Sequence, residues 1–259
     1  MTPIYPPFLA VPENSDKHIL RSPLLYDGEK WIMDFADIGD KARLASGLLL
    51  SNPQNPTGRV YSENELSKLA NICLANDVVV VSDEIHWGIV LDEHRSHIPI
   101  ASISEEFAHT TITLIASTKT YNIAGVNCAL GVIPDPILRE RFVDATTGLV
   151  SHISPLAYTA TLATFLDQSS WVNDLLAYLR VNRDLLERCV EEIPGLAMAH
   201  VEGTYLGWID TRSLQIDDPA TFFENHGLGF SDGVDFNGEG FVRFNFACPR
   251  DLLLEGIAR

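Results

Sequence analysis

Residues 78–86 read VVVVSDEIH. Four consecutive β-branched residues running into a serine, two acids and a histidine predict a strand buried on both faces, because a strand with one wet face would alternate apolar with polar. Upstream, Gly47–Ser51 (GLLLS) reads as a second buried strand that ends in the turn-rich NPQNPTG. Between them Ser62 and Glu65 have capping-box spacing, and Leu66, Leu69, Ala70 and Cys73 recur at the period of a helix. Downstream, Thr111–Ala116 (TITLIA) and Cys128–Ile133 (CALGVI) are two further apolar runs. Strand and helix in this alternation predict an α/β fold, with a mainly parallel sheet and helices on both of its faces. In such sheets chemistry gathers just beyond the carboxyl ends of the strands.

After Pro136 the pattern changes. Residues 137–146, 155–166 and 171–193 have helical periodicity, and the last ends at Pro194-Gly195. Ala197–Val201 and Tyr205–Asp210 read as strands, Asp217–Asn225 as a helix with Pro219 in its first turn, and Phe241–Phe246 as a strand before a closing helix from Pro249. Helices followed by a small mixed sheet predict a second, α+β unit. The expected division is 1–154 for a large domain and 155–259 for a linker helix plus a smaller C-terminal domain.

Composition narrows the partners. The 259 residues carry 35 acids against 18 lysines and arginines, a formal charge of −17 with no basic stripe, so a nucleic-acid partner is not expected. No apolar run approaches the roughly 20 residues of a membrane span, and the opening MTPIYPPF lacks the pattern of a signal peptide. Cys73, Cys128, Cys189 and Cys248 lie far apart without a C-x-x-C pair. They read as buried small hydrophobes in a reducing cytoplasm, with no metal site.

Three polar residues follow the first three strands. Asn55 lies in the turn after the first, Asp83 directly after the valines, and Lys119 three residues beyond TITLIA. Singly each is ordinary: a turn asparagine, a capping acid, a solvated lysine. Together they bring an amide, a carboxylate and an amine to one sheet edge. Pyridoxal phosphate (PLP) chemistry needs such a set. An amine must bond the cofactor aldehyde, a carboxylate must keep the pyridine nitrogen protonated, and a donor must meet the ring hydroxyl.

The stretches SNPQNPTG (51–58), VVVVSDEIH (78–86), STKTYNIAG (117–125) and FVRFNFACPR (241–250) resemble, in order and separation, the motifs of the class I/II aminotransferase superfamily. Their S-D-E-I-H, K-T-Y-N-I-A-G and R-F-N-F-A-C-P-R forms are most similar to the branch of cystathionine β-lyases and related cysteine-S-conjugate lyases. The resemblance covers essentially the whole chain. It implies the type I fold of PLP-dependent enzymes, a three-layer α/β/α domain with a smaller C-terminal α+β domain. Lys119 is then the lysine that holds the cofactor and moves the α-proton. Asp83 faces the pyridine nitrogen and Asn55 the ring hydroxyl. His86 stands where many aminotransferases have a tyrosine near that hydroxyl. Ser117 and Thr118 donate to the phosphate, Tyr5 stacks on the ring, and Arg243 clamps the substrate α-carboxylate. Asn127 stands where aminotransferases often have a phosphate-binding arginine, a departure that favours the lyase branch.

The implied activity is β-elimination from cystathionine or another S-substituted cysteine, giving a thiol, pyruvate and ammonia, in a homodimer with shared sites. The alternatives are an aminotransferase and a non-catalytic remnant of the fold. The match begins at Tyr5, whereas family members carry roughly a hundred residues before it, about one small domain. Those include the Gly-rich turn and helix N-terminus that cradle the phosphate. The last helix also reads as cut short at 256–259. The expectation is therefore an N-terminally truncated version of the family, with weakened cofactor affinity and an open sheet edge.

Overall fold

In the computed structural model, which describes residues 1–259, two hydrophobic cores form around two four-stranded sheets. The chain opens with helix α1 (Pro7–Asn14), a hairpin of β1 (Leu25–Tyr26) and β2 (Trp31–Ile32), and helix α2 (Phe35–Ala42). Asp34 caps α2 by accepting the N–H groups of Ala36 and Asp37. Then come β3 (Gly47–Ser51), α3 (Glu63–Leu74), β4 (Val79–Asp83), the single turn α4 (Glu105–Ala108), β5 (Thr111–Ile115) and β6 (Leu130–Val132).

The capping box at α3 is formed. Ser62 Oγ accepts the Glu65 N–H, and the Glu65 carboxylate accepts the Ser62 N–H at 2.9 Å. This fixes the start of α3 so that Leu66, Leu69, Ala70 and Cys73 are buried against Leu50, Val78 and Val80. Strands β3, β4 and β5 pair in parallel in that order.

Two runs depart from the sequence reading. The valine run is fully buried on one face only: Val78 and Val80 are covered, whereas Val79, Val81 and Asp83 are half-buried. The second face of β4 thus carries Asp83 at its end. CALGVI is not a buried parallel strand. Only Leu130–Val132 pair, antiparallel to β5, and all three are exposed. A parallel return needs a crossover, usually a helix. The link from 116 to 129 holds instead the Lys119 turn and one short 3₁₀ turn at Ala124–Val126.

The second half comprises α5 (Pro136–Thr146), α6 (Pro155–Phe165), α7 (Trp171–Glu192), β7 (Ala197–Met198), β8 (Leu206–Asp210), α8 (Pro219–Asn225), β9 (Ser231–Asp232), β10 (Phe241–Asn245) and α9 (Arg250–Ala258). Asp135 and Ser154 cap α5 and α6. The sheet is antiparallel, in the order β7-β8-β10-β9. Leu179, Leu186 and Val190 of α7 pack with Ile209, Val242, Phe246 and Leu253, and with Ile89 and Leu91 from the loop after β4.

The strand expected over 197–201 stops at Met198, because residues 201–204 turn to bond the first half of the chain. The Gly203 N–H donates to the Gly58 carbonyl, the Leu91 N–H to Glu202 and the Thr204 N–H to Ile89. The cysteines are free, but only Cys73 and Cys128 are buried; Cys189 and Cys248 are half-buried. No helix is long and apolar enough to cross a membrane.

Candidate functional site

The turn after β3 is fixed before any ligand is considered. Gln54 Oε1 accepts the N–H and hydroxyl of Thr57 at 2.7 and 2.5 Å, and Asn52 Oδ1 accepts the Tyr61 N–H. Gly58 closes the turn at φ +72°, and a Cβ there would stand 2.7 Å from Val201 Cγ1, so both backbone sign and space require glycine. Asn55 is thereby held beside the sheet edge. Its Oδ1 accepts Arg243 Nη1 at 3.0 Å, and its amide NH₂ has no protein acceptor.

At the end of β4, alternation sends two neighbouring acids to opposite sides. Glu84 is fully buried and satisfied by Ser82 Oγ (2.8 Å), the Ile100 N–H (3.1 Å) and His97 Nε2 (2.8 Å). Asp83 accepts only the Ile85 N–H, at 3.1 Å, and forms no salt bridge. Burial pushes its pKa up to about 6, against the opposing pull of that N–H and of the Lys119 charge. His86 is buried, with Nδ1 unpartnered and its ring edge-to-face with Tyr205 at 5.6 Å. Burial lowers its pKa to about 3, helped by the charges of Lys119 and Arg243, so the imidazole is neutral at neutral pH.

Lys119 lies in the turn after β5, half-buried, with no hydrogen-bond or ion-pair partner in the protein. The turn itself is braced. Trp87 Nε1 donates to the Ala116 carbonyl and Trp171 Nε1 to that of Thr120, each at 3.2 Å. The N–H groups of Tyr121 and Ile123 return to the carbonyls of Ser117 and Thr118. Ser117 is buried, its hydroxyl 2.6 Å from that of Thr164 on α6, while Thr118 is half-buried. Asn127 is exposed at φ 49°, a left-handed conformation that asparagine tolerates, and its amide donates to the Gly125 carbonyl.

Arg243 projects from β10, half-buried and bonded to Asn55 and Ser231. Burial lowers its pKa, countered by the nearby Tyr5 and Tyr205. Tyr5 is 39% exposed, but the segment before it is tied down. The Thr2 and Ile4 N–H groups donate to Ser22 and Phe236, and Gln54 Nε2 donates to Pro3.

The structure therefore brings Asn55, Asp83, His86, Lys119, Arg243 and Tyr5 into one neighbourhood, with Ser117 and Thr118 on the lysine turn. Sequence reasoning missed Thr164, Tyr205 and Ser231. None sits in a motif: Thr164 and Tyr205 reach the site through contacts far along the chain, and Ser231 through its cross-strand place opposite Arg243.

A family model described as aminotransferase class I and II matches residues 2–259. Cystathionine beta-lyase PatB of Bacillus subtilis is 33% identical over 266 residues, which is 99% of this chain and 68% of PatB. Among solved structures, OvoB superposes with a TM-score of 0.96 at 44% identity, covering 99% of this chain and 68% of that one. Cystalysin of Treponema denticola, which contains a pyridoxal 5'-phosphate cofactor, gives 0.93 at 31%, covering 99% and 67%. With a match across essentially its whole length, and with its polar residues gathered at the carboxyl ends of parallel strands, the chain belongs to the class I and II aminotransferase family.

Proposed function

We propose that the chain is a PLP-dependent carbon–sulfur β-lyase acting on cystathionine or another S-substituted cysteine. The observation that carries this reading is the meeting, at one sheet edge, of an unpartnered lysine, a carboxylate without a cationic partner and an arginine without an acidic one. Kinship with the cystathionine beta-lyase PatB supports the choice of the lyase branch, and kinship with cystalysin supports the cofactor.

The residues present fit the cofactor. Asp83 offers its carboxylate to a protonated ring nitrogen, and that opposite charge would keep it ionised against its burial. Asn55 has a free amide NH₂ for the ring hydroxyl, beside the neutral His86. Ser117 and Thr118 supply hydroxyls for the phosphate, Tyr5 a ring face, and Lys119 the amine for the aldehyde. When bound, the cofactor joins the substrate nitrogen and draws electron density from the α-carbon. Arg243 holds the α-carboxylate through paired N–H donors. Lys119, with no hydrogen-bond or ion-pair partner in the protein to hold its amine elsewhere, takes the α-proton. The Cβ–S bond then breaks with its electron pair leaving on sulfur, and uptake of one water accounts for pyruvate and ammonia beside the thiol.

Incubation with PLP and cystathionine should release thiol and pyruvate in equal amounts. Amino transfer that requires a keto acid and frees no thiol would sink the lyase reading.

The two main hydrophobic cores support domains at 1–154 and 155–259, with Ile89 and Leu91 reaching into the second and Trp31 packing both on the first and on the small cluster of Trp208, Phe236 and Phe241. We also propose a homodimer. Helix α6 is largely apolar, with threonines as its main polar residues, yet exposes Leu156, Tyr158 and Leu162, whereas a helix of that kind is normally covered. A second copy is the proposed cover. Sedimentation should give twice the chain mass, shifted toward monomer by Leu162→Glu; a monomeric wild type at all concentrations would exclude it.

A further inference from the structure

Arg243 is held in a cradle made entirely of neutral groups. It sits in β10 with Ser231 directly opposite on β9 and Trp208 opposite on β8. Nη2 donates to Ser231 Oγ at 3.1 Å and Nη1 to Asn55 Oδ1 at 3.0 Å. The guanidinium carbon lies 4.6 Å from the centroid of the Phe236 ring, within cation–π range. Phe236 is itself immobilised: it is buried, packs against Trp208 at 5.6 Å, and its carbonyl accepts the Ile4 N–H.

No carboxylate of the protein pairs with Arg243. An acidic partner would compete with an incoming carboxylate; a hydroxyl, an amide oxygen and a ring fix the plane and leave the charge available. The anchors also differ in origin. Asn55 belongs to the first half of the chain, so its hold depends on how the two halves sit, whereas Ser231 is cross-strand from Arg243 in the same sheet.

We propose that Ser231 and Phe236 are positioning residues that fix the guanidinium plane of Arg243 from within its own sheet and so aim it at the substrate α-carboxylate. The proposal rests on the reading of Arg243 as the carboxylate clamp. Paired N–H donors need an aligned plane, so a loosened arginine binds substrate less well without altering the chemical step.

The test compares wild type, Ser231→Ala and Ser231→Thr, with Arg243→Lys used to assign the arginine signals. Nitrogen NMR of the guanidinium should show two separate Nη signals for Arg243 in the wild-type protein. They should merge in Ser231→Ala, as rotation is freed, and remain separate in Ser231→Thr, which keeps the hydroxyl. For thiol release from cystathionine, KM of Ser231→Ala should rise about tenfold with kcat within about twofold, while Ser231→Thr stays near wild type. Separate signals in Ser231→Ala would overturn the positioning role, whatever the activity. Merged signals with an unchanged KM would overturn the reading of Arg243 as the clamp.

Discussion

Lys119→Ala is expected to lower thiol release by about a thousandfold or more while leaving the fold intact. The first part follows from the double duty proposed for this amine, covalent attachment of the cofactor and transfer of the α-proton. General acid–base transfer alone contributes about 10²–10⁴-fold, and no neighbour can substitute. His86 is buried, which lowers its pKa to about 3 and makes it too weak a base, and Asp83 would be engaged with the ring nitrogen. The second part follows from the position of Lys119. It makes no hydrogen bond or ion pair, and its turn is held by the indoles of Trp87 and Trp171 and by backbone bonds. Its removal should therefore shift stability by no more than about 0.5 kcal/mol. Lys119→Arg should be equally inactive, because a guanidinium stays protonated. Rates of thiol release together with a thermal melt check both parts. A Lys119→Ala protein that keeps a tenth of the wild-type rate would remove the residue from the chemistry.

Glu202→Ala should be the most destabilising single change at the junction of the two halves, costing about 3–5 kcal/mol. Arg59 and Glu202 are 1% and 4% exposed. Glu202 accepts Arg59 Nε at 3.1 Å and the Val60 N–H at 2.8 Å through one oxygen, and pairs with Arg95 Nη2 at 2.9 Å through the other. Arg59 is further bonded to Glu65 and to the Trp31 carbonyl. Truncating Glu202 leaves two guanidinium groups and a buried backbone donor short of a partner, and water cannot readily reach Arg59. Such a loss exceeds the net worth of the ion pair: Glu65 still pairs with Arg59, but the Arg59 Nε–H and the Val60 N–H are left as buried donors without an acceptor. By contrast Arg43 and Asp40 form an exposed pair, and Arg43→Ala should cost less than about 1 kcal/mol. Urea denaturation of the two variants separates these magnitudes. A Glu202→Ala midpoint as close to wild type as that of Arg43→Ala would show that the junction does not depend on this network. The same variant should also loosen the turn that presents Asn55, since Arg59 and Val60 follow it directly.

Much of this protein could be read from local pattern. Gly47–Ser51 is a strand with the bounds its apolar run suggests, and the Ser62–Glu65 box starts the helix where the spacing places it. Periodicity and punctuation act over a few residues, so they are written in the chain itself. The same holds for the places of Asn55, Asp83 and Lys119, each at or just beyond the end of a strand of one parallel set.

What local pattern could not supply was the partnership of residues far apart in sequence. Asp83 and Glu84 are adjacent acids; only the packing of Ser82, His97 and Ile100 around Glu84 leaves Asp83 as the carboxylate that faces the site. The four valines look alike, yet the helical layer on one side buries only alternate members fully. CALGVI has the composition of a core strand, and its exposure follows from its place at the sheet edge. Arg243 meets Asn55, Arg59 meets Glu202 and Ser117 meets Thr164 across 188, 143 and 47 residues. No periodicity spans such gaps. The sequence by itself determined which strands end in which functional groups. The tertiary structure alone decided which of those groups lack a protein partner, because hydrogen-bond satisfaction depends on everything the folded chain brings within about 3 Å.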